Sequence, residues 1–208
     1  MDRDNVLHKA RTALGRSAGQ PLSAPPPPVL LSVPEMGMEE RIERFCRALE
    51  NLAGHTYVAG SREAAFEYAA GLLEGKTAVA SGHAYLSECG IAQLAQRTGD
   101  PAELRRLCST VDIGVTSAEY ALADTGTLVM LASPENARLV SLLPPMHLAV
   151  IPRECILTGL DELFTTIPLP MDETSAMVLI TGPSRTADIE QILVRGVHGP
   201  GEIHVVIV

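Results

Sequence analysis

The feature that most constrains this chain is a succession of short, nearly continuous apolar runs separated by stretches of helical periodicity. The runs are Thr56 to Ala59, Thr77 to Ala80, Val111 to Val115, Thr127 to Leu131, His147 to Ile151, Ala176 to Ile180 and Glu202 to Ile207. A strand with one solvated face alternates apolar and polar residues. A run of Val, Ile, Leu and Ala without that alternation suits a strand covered by helices on both faces. Between the runs, Ile42, Phe45, Cys46, Leu49 and Leu52 fall on one face of a helix over 39–52. Ser61 can cap a helix that ends at Leu73, with Gly75 as its stop. Further helices are expected at 101–109, 117–123, 135–142, 158–164 and 185–194. The rhythm predicts an α/β fold, a three-layer α/β/α sandwich with a mostly parallel sheet.

The N-terminal part reads differently. Residues 4–16 place Val6, Leu7, Ala10, Ala13 and Leu14 at helical spacing, and Ser17 to Pro34 then bring six prolines, four of them consecutive from Pro25 to Pro28. Proline lacks the backbone N–H that both helix and sheet need, so this stretch is expected to be extended. The division expected is an N-terminal helix and Pro-rich linker over 1–34 and an α/β domain over 35–208.

Several function classes are disfavoured by composition. The net charge is −9, and the 16 basic residues, of which only Lys9 and Lys76 are lysines, are spread along the chain. Nucleic-acid binding normally needs a concentrated basic face, so no nucleic acid is expected as a partner. The longest apolar stretches fall far short of the roughly 20 residues that span a bilayer, and the start Met1-Asp2-Arg3-Asp4-Asn5 is unlike a secretory signal. A cytoplasmic protein without membrane association is expected. Cys46, Cys89, Cys108 and Cys155 are scattered, with no histidine at ligand spacing beside them, and no two histidines stand at ligand spacing either. Neither a metal nor a cofactor is expected. The thiols read as small buried apolar groups, with a catalytic cysteine as the minor alternative.

In parallel sheets ligands gather at the carboxyl ends of strands, and three turns stand out as candidate sites. In the first, Gly182, Ser184, Arg185, Thr186 and Asp188 follow an apolar run and open an expected helix. Glycine admits close approach of a ligand, and free amides at a helix start offer donors to an anion. Ser184 can also serve merely as the helix cap, and Asp188 competes with an anion for the positive dipole end. In the second, Glu119 and Asp124 flank a segment leading into the turn Thr125-Gly126-Thr127 and are candidate proton-transfer groups, although Asp-Thr-Gly is also an ordinary turn. In the third, Gly196 to Gly201 hold His198 next to Gly199, and a histidine titrates in the range useful for proton transfer. His198 can equally be an exposed turn residue. Glu135 and Asn136, after Pro134, read as a helix opening.

Ala123-Asp124-Thr125-Gly126-Thr127-Leu128-Val129, Leu143-Pro144-Pro145-Met146-His147, Ile180 through Glu190 and Gly196 through Ile207 together resemble the LUD-domain family, over about residues 75 to 208. That resemblance implies a fold similar to the sugar-phosphate isomerase, glucosamine-phosphate deaminase and CoA-transferase group. It also implies a part in oxidation of L-lactate to pyruvate, as the non-redox member of a system whose other proteins carry iron–sulfur clusters. The alternative is an independent enzyme or sensor that binds a small phosphorylated or carboxylated anion, with Arg185 pairing it and Glu119, Asp124 or His198 moving protons.

Overall fold

The structure, a computed structural model, describes residues 2–17, 36–187 and 193–208. Its chain divides into two compact units, Met1–Ser32 and Val33–Val208. In the first, helix α1 (Arg3–Ala13) forms where the apolar spacing predicts it, and none of its residues is buried. The expected extended stretch over 18–34 lies outside the described residues.

The second unit opens with α2 (Met38–Asn51), which buries Ile42, Phe45 and Leu49 and carries Glu40–Arg44 and Glu43–Arg47 pairs on its solvent side. Strand β1 (His55–Val58) follows, then α3 (Arg62–Leu73), capped by Ser61 Oγ accepting from the Ala64 N–H at 3.2 Å. Gly75 stops α3 at φ +71°. Next come β2 (Ala78–Ala80), α4 (Ala84–Glu88), α5 (Pro101–Cys108) and β3 (Ile113–Thr116). After them stand β4 (Tyr120–Leu122), β5 (Thr127–Leu131), α6 (Leu139–Leu142), β6 (Met146–Ile151) and β7 (Ile156–Leu157). The chain continues through α7 (Leu160–Thr166), α8 (Pro170–Glu173), β8 (Met177–Ile180), β9 (Arg185–Ala187), β10 (Leu193–Arg195) and β11 (Glu202–Ile207).

Five strands form the expected parallel sheet, in the order β1-β11-β6-β3-β2. Successive side chains of a strand point to opposite faces, and the core divides accordingly. Ala149, Ile151, Ile203, Val205 and Ile207 pack with Phe45 and Leu49 of α2. Leu148, Val150, Val206, Ile113 and Val115 pack on the other face with Ala65 and Ala69 of α3 and Leu86 of α4. The sheet is thus covered on both sides, as its unalternated apolar runs require.

Two expected helices do not form. The segment 117–123 is not a helix; its end is β4, which pairs antiparallel with β5. Gly126 reverses the chain at φ +65° and its N–H donates to Leu122 O at 2.9 Å, closing a hairpin that overrides the helix propensity of the alanines. A β carbon on Gly126 would lie 2.5 Å from the Leu49 nitrogen, so the tight turn also lets α2 approach. Together β7, β4, β5 and β8 form a second, largely antiparallel sheet rather than an extension of the first. The described ends of the segment 185–194 are not helical either: β9 and β10 pair antiparallel. Ser184 explains the difference, because its N–H donates to Pro200 O at 2.8 Å and its carbonyl accepts from the Gly196 N–H at 3.0 Å, holding the chain extended. The proposed helix start with free amides is therefore absent, and Ser184 caps nothing there. A smaller correction concerns Glu135 and Asn136, which lie in a loop before α6 rather than opening a helix.

Candidate functional site

The Ser184 bonds bring the first and third turns together. Gly182 adopts φ +109°, a left-handed conformation that side-chain-bearing residues avoid, and turns the chain out of β8 toward β9. Gly201 donates from its N–H to Pro145 O at 2.9 Å and so fastens the glycine turn to the entry of β6. Between these turns and α6 lies a cavity of about 190 Å³, lined among others by Ser141, His147, Thr181, Gly182, Ser184, His198 and Gly199. It stands at the amino ends of β6 and β11, since His147 and Ile203 are the second residues of those strands. The carboxyl-end rule fails for this cavity because β8, whose carboxyl end does contribute, belongs to the second sheet.

His147 is wholly buried. Its Nε2 lies 2.8 Å from Thr116 Oγ1, and its Nδ1 has no hydrogen-bond partner among the described residues. Burial pushes its pKa down to about 4, so the ring is neutral at pH 7. A neutral imidazole with one unpartnered nitrogen beside a cavity can give or take a single hydrogen bond from a ligand. Its register partner is Gly114. A β carbon on Gly114 would lie 1.8 Å from Val140 O, so the bare glycine lets α6 pack directly on β3 and bring Ser141 and Leu142 to the cavity.

The second turn reaches the cavity through a line of hydroxyls. Thr125 Oγ1 donates to Asp124 Oδ1 at 3.1 Å, Thr127 Oγ1 lies 2.7 Å from Thr125 Oγ1, and Thr181 Oγ1 lies 2.8 Å from Thr127 Oγ1. With the Thr125 proton committed to the carboxylate, Thr127 must donate to Thr125 and Thr181 to Thr127. Thr181, at the cavity wall, therefore has lone pairs left and acts as an acceptor. Gly126 shapes this turn without lining the cavity.

Glu119 belongs elsewhere. Its Oε2 accepts from the Leu131 N–H at 2.7 Å and its Oε1 from Asn136 Nδ2 at 2.9 Å, with His83 Nε2 at 4.0 Å. It and Asp124 stand in separate hydrogen-bond networks, so the two carboxylates do not form an acid/base pair. Arg185 is exposed at the start of β9 and is not among the cavity-lining residues, while Thr186 lies within β9 and Asp188 outside the described residues. His198 is exposed at the cavity rim. The four thiols are free, and burial raises their pKa values, that of Cys155 to about 12. Thiols held protonated are poor nucleophiles, which favours their reading as packing groups.

The expected site residues do not include His147, nor Thr181 at the start of the first turn. A polar imidazole entering an apolar strand after Pro144-Pro145 was the available signal for the first. Nothing local marks Thr181, whose importance arises from pairing between β5 and β8.

The model of the LUD domain matches residues 42–208, which include every residue of the cavity and of the hydroxyl line, and the chain belongs to the LUD-domain family. Among its relatives are proteins named lactate utilization protein C. That of Exiguobacterium sp. is 36% identical over 115 residues, 53% of this chain and 50% of the relative. Those of Halalkalibacterium halodurans and Bacillus subtilis are 41% and 40% identical over 93 residues, 43% of this chain and 40% and 39% of the relatives. The chain thus covers half or less of the length of these curated relatives. A crystal structure of a DUF162 family protein from Deinococcus radiodurans superposes with a TM-score of 0.63 at 16% identity, covering 83% of this chain and 99% of that one, and shows the same fold. Among the described residues no helix is long and apolar enough to cross a membrane.

Proposed function

We propose that this chain is the non-redox component of an L-lactate oxidation system and acts in the cytoplasm beside iron–sulfur partner proteins. The observation that carries the reading is the similarity to lactate utilization protein C of several bacteria. Conversion of L-lactate to pyruvate releases two electrons and two protons, and clusters on the partners supply the electron acceptor. The chain's own contribution is a small-ligand site at the cavity between α6, β8 and the Gly196–Gly201 turn. Gly182, Ser184, His198 and Gly199 line that site, with Thr181 as acceptor and Asp124, Thr125 and Thr127 behind it. Deletion of the gene in its native host tests the role. Growth on L-lactate as sole carbon source is expected to fail, and affinity purification of the tagged chain from lactate-grown cells is expected to retain iron–sulfur proteins. Normal growth with no such protein retained contradicts the proposal.

The cavity itself supports a second reading, a self-sufficient site for a small carboxylated or phosphorylated metabolite. Arg185 is not part of that site, so the anion would be met by Ser184, the neighbouring backbone and His198. Thermal shift of the purified chain with L-lactate, pyruvate and sugar phosphates tests it. Stabilisation that is lost on filling the cavity through Gly199→Val supports this reading, and no shift with any of them contradicts it.

A further inference from the structure

Along the chain no two histidines stand at ligand spacing, but the parallel register of β1 and β11 places His55 beside His204. Glu202 precedes His204 by two residues and so shares its face of β11. One ligand atom from each of the three lies within 4.8 Å of the others. His204 is buried, Glu202 half-buried and His55 exposed. The two imidazoles stack with centroids 4.5 Å apart, and His204 Nε2 lies 2.7 Å from Glu202 Oε1. On its other side, His204 Nδ1 lies 3.0 Å from the hydroxyl of Tyr68, which α3 carries over this face of the sheet. This is the face opposite the cavity, which is lined by Ile203.

We propose that His55, Glu202 and His204 form a binding site for a divalent transition-metal ion of the zinc type. Two imidazoles and a carboxylate are the donor set such ions take, and three protein ligands leave a fourth position open to water on the exposed His55 side. Donors around a tetrahedral zinc ion stand about 3.3 Å apart, so the three ligand atoms close in from within 4.8 Å and the stacked imidazoles turn to aim their lone pairs at the ion. When Nε2 turns to the ion, the ring proton resides on Nδ1 and is donated to the Tyr68 oxygen. That is the outer hydrogen bond which fixes a ligating histidine. Such an ion ties the first strand of the sheet to the last.

Titration of the full chain, stripped with chelator, with zinc chloride alone in a calorimeter tests the site, and cobalt absorption reports its geometry. One zinc ion per chain is expected, with cobalt bands of a tetrahedral nitrogen–oxygen site and a higher melting temperature in zinc. The His55→Ala and Glu202→Gln variants, both altered at accessible positions, are expected to lose binding at least about 100-fold. Tyr68→Phe is expected to weaken it about 10-fold, and His8→Ala to leave it unchanged. Absence of saturable binding, or equal binding by His55→Ala and Glu202→Gln, overturns the proposal and leaves the trio as a hydrogen-bonded packing corner.

Discussion

Thr127 Oγ1 and Thr181 Oγ1 lie 2.8 Å apart, and this hydrogen bond joins the first residue of β5 to the turn after β8. It makes Thr181 the end of a polarised line that begins at the Asp124 carboxylate. Thr181→Val keeps the shape and removes the hydroxyl, leaving Thr127 to find another partner for its oxygen. A loss of about 1 kcal/mol in urea-denaturation stability is expected. An unchanged midpoint contradicts a structural role for the line.

Gly114 and His147 stand side by side in β3 and β6, and the place of the missing β carbon is occupied by Val140 O. Gly114→Ala must push α6 off the sheet, because the obstructing atom is backbone. A cost of about 1–3 kcal/mol is expected by denaturant titration, together with a changed cavity wall at Ser141 and Leu142. Wild-type stability contradicts direct helix-on-strand packing there.

The readable part of the fold was the part whose signals are local. The face of α2 with Ile42, Phe45 and Leu49, the Ser61 cap, the Gly75 stop and the buried runs of β6 and β11 each follow from neighbouring residues. The failures lie where pairing decides. Alanine-rich 117–123 reads as helix until Gly126 folds it against β5, and 185–194 reads as helix until Ser184 is bonded to Pro200 and Gly196. The candidate site divides in the same way. The Gly182–Ser184 and His198–Gly199 turns were visible as special backbone and do meet at one cavity, whereas His147, Thr181 and the His55–His204 pair depend on strand register.

Glu119 accepts from the Leu131 N–H and from Asn136 Nδ2, so it organises the end of β5 rather than the cavity. Glu119→Ala strands both donors and is expected to cost about 1–3 kcal/mol. Ligand-induced thermal shifts at the cavity are expected to keep their size relative to the lowered melting temperature. Loss of those shifts with unchanged stability contradicts this assignment.

His147 gives stability a pH dependence with a definite sign. Its folded pKa of about 4 lies below the unfolded value of about 6.5. Its contribution is complete above pH 6.5, because neither state then binds the proton. Between about pH 6.5 and 4 the unfolded chain takes up a proton that the folded chain refuses, and stability falls by up to about 3 kcal/mol. The lowered pKa of His204 acts in the same direction. Urea titrations at pH 7 and pH 4.5 are expected to show a steeper loss for the wild type than for His147→Gln. Equal losses contradict a neutral buried imidazole.

The cavity between α6, β8 and the Gly196–Gly201 turn is proposed as the working site of a component of L-lactate oxidation. Complementation of the gene deletion during growth on L-lactate tests it most directly, comparing the wild type with Gly199→Val after both are shown to be folded and equally abundant. Gly199 faces Ser184 Cβ at 3.4 Å from its would-be β carbon, so valine intrudes on the space between the turns. Growth is expected with the wild type and little or none with the filled cavity. Equal growth with both contradicts it.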